Sequence, residues 1–205
     1  MIEDKITWLG HASFLIDVEK VIYIDPWKVK SRSKKADMIL ISHAHYDHYS
    51  VDDIKKIAAK DTTIIGPADC VWDGVGTHFV MKPGDTKTID GVTITAIPAY
   101  NTNKAFHQKQ NGWLGFMIET AEGSVYYAGD TDCIDEMKGL APDVALLPVG
   151  GTYTMNAEDA VRAAKLINAA VIIPYHYGDI VGSLADAERL REKCETTTII
   201  KKAHK

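Results

Sequence analysis

The stretch MILISHAHYDH, residues 38–48, joins a wholly apolar run to a dense group of polar side chains. The apolar part, Met38 to Ile41, predicts a strand that is buried on both faces. Three histidines and an aspartate follow it within six residues: His43, His45, Asp47 and His48. Imidazole nitrogens and carboxylate oxygens suit zinc, iron or manganese. Because ligands of α/β proteins gather at strand ends, the spacing predicts a metal site with room for two ions about 3.5–4 Å apart.

Length and composition narrow the class of protein. The chain has 205 residues, of which 46% are hydrophobic and 25% charged, which predicts one globular domain over residues 1–205. No apolar run approaches the roughly 20 residues of a membrane span, and the first residues lack a signal-peptide pattern. Three cysteines without a CxxC pair fit reduced thiols in a cytoplasmic protein. A net charge of −5 argues against sequence-independent binding of nucleic acid, and a homo-oligomer stays open.

Strand and helix patterns place the motif in an α/β chain. Short β-branched and aromatic runs predict strands throughout the first half, and the pair Asp90-Gly91 predicts a hairpin turn within Thr86 to Ile97. Helical spacing predicts three helices: Val51 to Ala59, Ala157 to Ala169 and Leu184 to Cys194. Many strands with a few amphipathic helices predict sheets covered by helices. Residues Ala99 to Gly112 are polar and without period, which predicts a long loop of the kind that is often functional.

Two further ligand-type residues end predicted strands in the second half of the chain. Asp130 and His176 each stand within two residues of such a strand end. Each signal alone is weak, since an aspartate there is more often a helix cap and a histidine more often structural. Together with residues 43–48 they predict one shared site, in which the Asp130 carboxylate can bridge two metals. His78 and His204 carry no such signal and are predicted to lie at the surface.

Five motifs occur in order along almost the whole chain: TWLGHAS (7–13), DP (25–26), HAHYDH (43–48), GDTD (129–132) and PYHYG (174–178). In this set and order the chain resembles the metallo-β-lactamase-fold hydrolases. It is particularly similar to the branch that contains L-ascorbate-6-phosphate lactonase and N-acyl-phosphatidylethanolamine-hydrolysing phospholipase D. The resemblance implies an α/β fold of the αββα four-layer type, with two mixed β-sheets packed face to face and helices outside.

The resemblance also implies how two metals share their ligands. It assigns His43 and His45 to the first metal, Asp47, His48 and His176 to the second, and Asp130 to both. The family usually has another histidine after the strand that precedes the long loop, where this chain has Tyr100-Asn101. His107, inside the loop, is the expected substitute as third ligand of the first metal. If His107 is instead a mobile surface residue, water, Asn101 or substrate fills that position.

Four residues are expected to support the ligands or the substrate. The branch places His11 near the metals, where it would orient substrate or a ligand carboxylate; a satisfied core histidine is the alternative. Asp25 ends a predicted strand and is expected to accept a hydrogen bond from the ligand loop. Tyr100 and Asn101 stand where the family histidine is missing, so they are candidates for the same supporting role.

The ligand set predicts hydrolysis. Two divalent metals, with zinc expected and manganese or iron as alternatives, lower the pKa of a bridging water and provide hydroxide near neutral pH. The hydroxide attacks a small ester, lactone or phosphorylated metabolite, with Asp47 and His48 as catalytic residues and Asp47 moving the proton. One alternative is a phosphodiesterase or nuclease acting on nucleic acid, which usually carries a large inserted domain in this family. The other is a metal-binding protein without turnover.

Overall fold

The computed structural model describes residues 1–204, and its strands form two sheets. The first sheet contains, in spatial order, β1 (Ile6–Gly10), β2 (Ser13–Asp17), β3 (Val21–Ile24), β4 (Met38–Leu40), β5 (Thr63–Gly66) and β6 (Thr77–Val80). The second contains β7 (Thr86–Ile89), β8 (Val92–Pro98), β9 (Leu114–Thr120), β10 (Gly123–Tyr127), β11 (Val144–Pro148), β12 (Val171–Tyr175) and β13 (Thr197–Thr198), again as neighbours in chain order. Both sheets are mixed: β1 to β3 and β7 to β10 pair antiparallel, whereas β3 to β6 and β10 to β13 pair parallel.

The alternation of side chains along the strands sets the four layers. On β4, Met38 and Leu40 point into the large core between the two sheets, whereas Ile39 points to the opposite face. There Ile39 packs in a second cluster with Ile54 and Ile57 of α1 (Val51–Ile57). Helices α2 (Ala157–Ile167) and α3 (Leu184–Lys193) contact β11 and β12 on the outside of the second sheet. The predicted αββα sandwich, with a central strand buried on both faces, is confirmed.

Helix ends differ by one or two residues from the sequence-based predictions. Helix α2 begins after Asn156, whose Oδ1 accepts the N–H of Asp159 at 2.8 Å. It ends at Ile167 because Asn168 adopts a left-handed conformation with φ +59°, which terminates a helix. The predicted extension to Ala169 is therefore wrong. Helices α1 and α3 likewise end before the predicted limits, at Ile57 and Lys193.

One strand and one histidine correct the sequence analysis. Strand β6 was not predicted, and it places His78 opposite Ile64 of β5. His78 is half-buried, with its Nε2 shielded from solvent, so its prediction as a surface residue is wrong. His204 is exposed, as predicted. None of the helices in residues 1–204 combines the length and hydropathy that a membrane span requires.

Candidate metal centre

The ends of strands from both sheets bring the candidate residues to one place. His11 follows β1, Asp25 follows β3, residues 42–48 follow β4, Asp130 follows β10, and His176 follows β12. Within residues 1–204, eight non-glycine residues have a positive φ. Four of them are candidate site residues, with φ from +43° to +62°: His11, Asp25, His107 and His176. Left-handed backbone costs about 1–2 kcal/mol per residue, and strain of this kind concentrates at functional sites.

The first group of donor atoms comes from His43, His45 and His107. His45 Nδ1 lies 3.0 Å from His43 Nε2 and 3.3 Å from His107 Nε2, close to the separation of about 3.3 Å expected between two ligands of a tetrahedral zinc ion. One ring nitrogen carries a single proton or lone pair, so hydrogen bonds cannot satisfy all three atoms together. Burial lowers the pKa of each ring, and neutral imidazole is the form that binds metal. The Trp113 ring packs 4.7 Å from His43 and closes one side of the group.

The second group contains His11, Asp47, His48 and His176, whose donor atoms lie within 4.8 Å of one another. His11 Nε2 lies 2.9 Å from Asp47 Oδ2, and His48 Nε2 lies 3.7 Å from the same oxygen. Burial raises the pKa of Asp47, but His11 and His48 outweigh burial and lower it. A Cβ on Gly150 would stand 2.5 Å from the carbonyl oxygen of His176. Glycine at that position is therefore what allows the chain carrying His176 to approach.

Asp130 lies between the two groups. Its Oδ2 is 3.3 Å from His107 Nε2, 3.2 Å from His176 Nε2 and 3.5 Å from His48 Nε2. Burial raises the pKa of Asp130, but the charges of His176 and His48 outweigh it and hold the pKa well below its usual range. One carboxylate thus faces both sets of imidazoles in its ionised form.

Asp25 fixes the orientation of two imidazole rings. Its fully buried carboxylate accepts hydrogen bonds from Ser42 N (2.7 Å), Ser42 Oγ (2.5 Å), Tyr127 Oη (2.6 Å) and His48 Nδ1 (2.7 Å). Because Ser42 Oγ gives its proton to Asp25, it accepts from His43 Nδ1 at 2.8 Å. Both rings therefore carry their proton on Nδ1, and both Nε2 atoms turn toward the shared site. Carboxylate partners of this kind orient metal-binding histidines.

The long loop places His107 in the first group, and hydrogen bonds fix the position of this loop. Asn101 Nδ2 donates to the carbonyl oxygens of Phe106 (3.0 Å) and Tyr153 (2.7 Å). The carbonyl of Tyr153 also lies 3.1 Å from His107 Nδ1, which leaves Nε2 free to face His45. Asn101 thus supports His107 from behind. The side chain of Tyr100 points elsewhere and donates to Glu136 at 3.0 Å, so it does not reach the donor atoms.

The donor set fits bound metal cations. Asp130 Oδ1 and the Nε2 atoms of His48 and His176 are buried without a hydrogen bond among the described residues. The approaches of the two rings to Asp130 Oδ2 are ion-pair contacts without hydrogen-bond geometry. A bound cation or water would therefore have to satisfy these atoms. Burial lowers the pKa of His48, but Asp130 and Asp25 raise it well above its ordinary value. The cluster therefore stabilises positive charge.

A cleft of about 230 Å³ opens onto the cluster. Asp47, Asp130 and His176 form part of its lining together with His45 and His107. The remaining lining residues are Tyr46, Phe106, Tyr153 and Ile180. Sequence reasoning gave none of these four a role. Each comes from a different loop, and Tyr46, although it lies within HAHYDH (43–48), is not a metal-ligand type.

The fold and the donor cluster define a metal-dependent hydrolase of the metallo-β-lactamase superfamily. The protein-family model described as the beta-lactamase superfamily domain matches residues 5–176 of this chain. A UPF0173 metal-dependent hydrolase of Methanopyrus kandleri is 32% identical over 93% of this chain and 91% of its own. With that identity and coverage, the chain belongs to the UPF0173 metal-dependent hydrolase family.

Solved structures agree with this assignment. A protein of Parabacteroides distasonis described as a metal-dependent hydrolase matches with a TM-score of 0.84 and 32% identity, over 96% of this chain and 91% of that one. Igni18, a metallo hydrolase of the archaeon Ignicoccus hospitalis, matches with a TM-score of 0.80 and 26% identity, over 98% and 95%. The similarity therefore extends over nearly the full length of each chain.

Proposed function

We propose that this protein hydrolyses a small ester, lactone or phosphorylated metabolite at a centre of two divalent metal ions, with zinc as the expected metal. The observation that carries the proposal is the pair of donor groups with Asp130 between them, within 3.5 Å of imidazole nitrogens from both sides. A purely structural cluster of buried histidines would be expected to satisfy its ring nitrogens with hydrogen bonds.

The proposed ligand assignment follows the two groups, except that His11 is left to hydrogen-bond Asp47. His43, His45 and His107 would hold one ion, Asp47, His48 and His176 the other, and Asp130 both. When bound, two such ions polarise the substrate oxygen and make water a nucleophile near neutral pH. Asp25 and Asn101 would act indirectly, by orienting His48 and His107.

Asp47 is the proposed general base. It lines the cleft, and its lowered pKa keeps it ionised at neutral pH. His11 Nε2 lies 2.9 Å from Asp47 Oδ2, and burial lowers the pKa of this histidine despite that contact. A neutral His11 that donates its Nε2 proton fixes the carboxylate without neutralising it, which leaves Asp47 able to accept a proton from the attacking water.

Two observations support a small ester, lactone or phosphorylated metabolite as the substrate. They are the size of the cleft and the resemblance to a branch that contains a lactonase and a phospholipase. A volume of about 230 Å³ lies below the roughly 300–1,000 Å³ typical of sites for drug-sized ligands. A duplex or folded nucleic acid would have to bind largely outside it.

The test is a substrate panel on zinc-loaded protein. Lactones, p-nitrophenyl carboxylic esters and p-nitrophenyl phosphodiesters are offered to the unmodified chain, to His48→Ala and to Asp130→Ala. We expect turnover of the lactones or the carboxylic esters, lost by a factor of about 100 or more in both variants, since each loses a group acting on the transition state. His204→Ala, a change at an exposed histidine, is the control. Turnover that survives both site variants would refute the proposal.

A further inference from the structure

The cleft above the donor cluster has an apolar rim, defined here as Tyr46, Phe106, Tyr153 and Ile180. Tyr46 is 67% exposed, Phe106 50% and Ile180 38%. Of the aromatic side chains in residues 1–204, Tyr46 and Phe106 are the exposed ones, and both border this cleft. Single exposed apolar side chains are ordinary, but a group of them around a concave site marks a surface that a ligand covers.

The rim is held in place by its own contacts. The rings of Phe106 and Tyr153 meet edge to face with centroids 4.9 Å apart, and Tyr46 packs at 6.0 Å against Trp27. The carbonyls of Phe106 and Tyr153 both accept from Asn101. The loop that brings His107 to the donor cluster therefore also sets the position of the Phe106 and Tyr153 part of this rim.

Positive side chains are absent from the cleft. Within residues 1–204, its lining contains no lysine or arginine. Two lysines that lie beside rim residues are each paired with a carboxylate. Lys104, two residues before Phe106, pairs with Asp132, and Lys28 Nζ lies 2.9 Å from Asp179 and 3.9 Å from the Trp27 ring centre. Sites that recognise a phosphate or carboxylate usually present arginine, lysine or a helix N-terminus to it.

We infer that the substrate presents an uncharged, apolar group to the rim beside the bond that is cleaved, and that phosphorylated metabolites are poor substrates. This inference rests on the proposed hydrolytic function and narrows it to uncharged carboxylic esters and lactones. Burial of alkyl or aryl surface against the rim supplies binding free energy. A phosphate held against the rim, away from the proposed metals, would lose hydration without gaining a cationic side chain.

Binding of unreactive probes tests the rim without requiring turnover. Titration calorimetry on the zinc-loaded protein compares acetohydroxamate with hexanohydroxamate, which adds four methylenes. Each fully buried methylene is worth up to about a factor of four, so a partly open rim should lower Kd by about 10–100-fold. Phe106→Ala should reduce that gain to about threefold or less, while Leu184→Ala, at a similarly exposed residue of another surface, should preserve it. Equal Kd values, or no binding of hexanohydroxamate, would overturn the inference.

Turnover tests the charge preference. The unmodified protein should hydrolyse γ-caprolactone with a kcat/KM at least about tenfold above that for 6-phosphogluconolactone. Ile180→Lys places a cation on the rim and should narrow that ratio by about tenfold, the effect of one charge-assisted contact. Preference of the unmodified protein for the phosphorylated lactone would overturn the inference while leaving the hydrolytic proposal intact. Hydrolysis of neither lactone, with the hydroxamate trend intact, would instead count against the proposed function.

Discussion

Replacing Asp25 with asparagine changes the acceptor that orients His48 and, through Ser42, His43. The side chain is fully buried and accepts four hydrogen bonds of 2.5 to 2.7 Å. Asparagine keeps one acceptor oxygen and introduces an N–H₂ group, so at least one buried donor must face another donor. The backbone tolerates this change. Asp25 has a left-handed conformation with φ +43°, which asparagine adopts more readily than most residues.

The hydrogen bonds lost in Asp25→Asn set the size of the expected loss of stability. A buried donor left unsatisfied costs about 1–3 kcal/mol, and hydrogen bonds to a charged acceptor are worth about 1.5–3 kcal/mol. We therefore expect the free energy of unfolding of the metal-free Asp25→Asn variant to fall by about 2–4 kcal/mol. Loss of a group that orients a metal-binding histidine lowers metal affinity by about 10–100-fold, so zinc should bind correspondingly more weakly.

Two assays check this prediction. Urea unfolding followed by circular dichroism, on chelator-treated protein, gives the free energy of unfolding. Competition with a chromophoric chelator gives the zinc affinity. Asp90→Asn, in an exposed turn where asparagine is equally suited to φ +50°, is the matched control and should change neither value appreciably. A loss below about 0.5 kcal/mol, within the range of ordinary surface substitutions, together with unchanged zinc affinity, would refute the reasoning.

Three further substitutions have defined outcomes. Gly150→Ala places a Cβ 2.5 Å from the carbonyl oxygen of His176. It should destabilise the fold by about 1–3 kcal/mol and reduce the amount of zinc bound; an unchanged Tm would contradict this. Asn101→Ala should weaken one of two zinc-binding steps in calorimetry, and two unaltered steps would count against its role. Burial raises the pKa of Asp53, but hydrogen bonds from Lys56 and Ser50 outweigh it and lower the pKa. The resulting stabilisation is present at neutral pH and disappears as pH falls through the lowered pKa. Asp53→Asn should therefore make the free energy of unfolding depend less on pH in the acid range, and an unchanged pH dependence would disprove this.

Local pattern predicted sheets covered by helices and the strand-end placement of the ligands, whereas the four-layer arrangement was implied by the family resemblance. Alternating and fully apolar runs determine which face of a strand is buried. Residues 43–48 follow β4 directly, so their proximity required no knowledge of distant contacts. The parallel strands then bring Asp130 and His176 to the same region.

The position of His107 could not be derived in the same way. It lies in a loop without periodicity, and the path of that loop depends on Asn101 and on Tyr153, which is 46 residues further along the chain. Strand β6 was missed because its outer residues are exposed and, within residues 1–204, β5 is its single partner strand. The rim escaped prediction for a related reason, since Phe106 and Tyr153 meet only in the folded chain.

Anomalous diffraction at the zinc edge, from crystals of the zinc-loaded protein, tests the central claim most directly. We predict two peaks about 3.5–4 Å apart. One should lie within about 2.0–2.2 Å of a nitrogen of each of His43, His45 and His107. The other should lie at similar distances from ligand atoms of Asp47, His48 and His176. Asp130 should contact both peaks. A single peak, or two peaks without His107 or Asp130 among their ligands, would contradict the account.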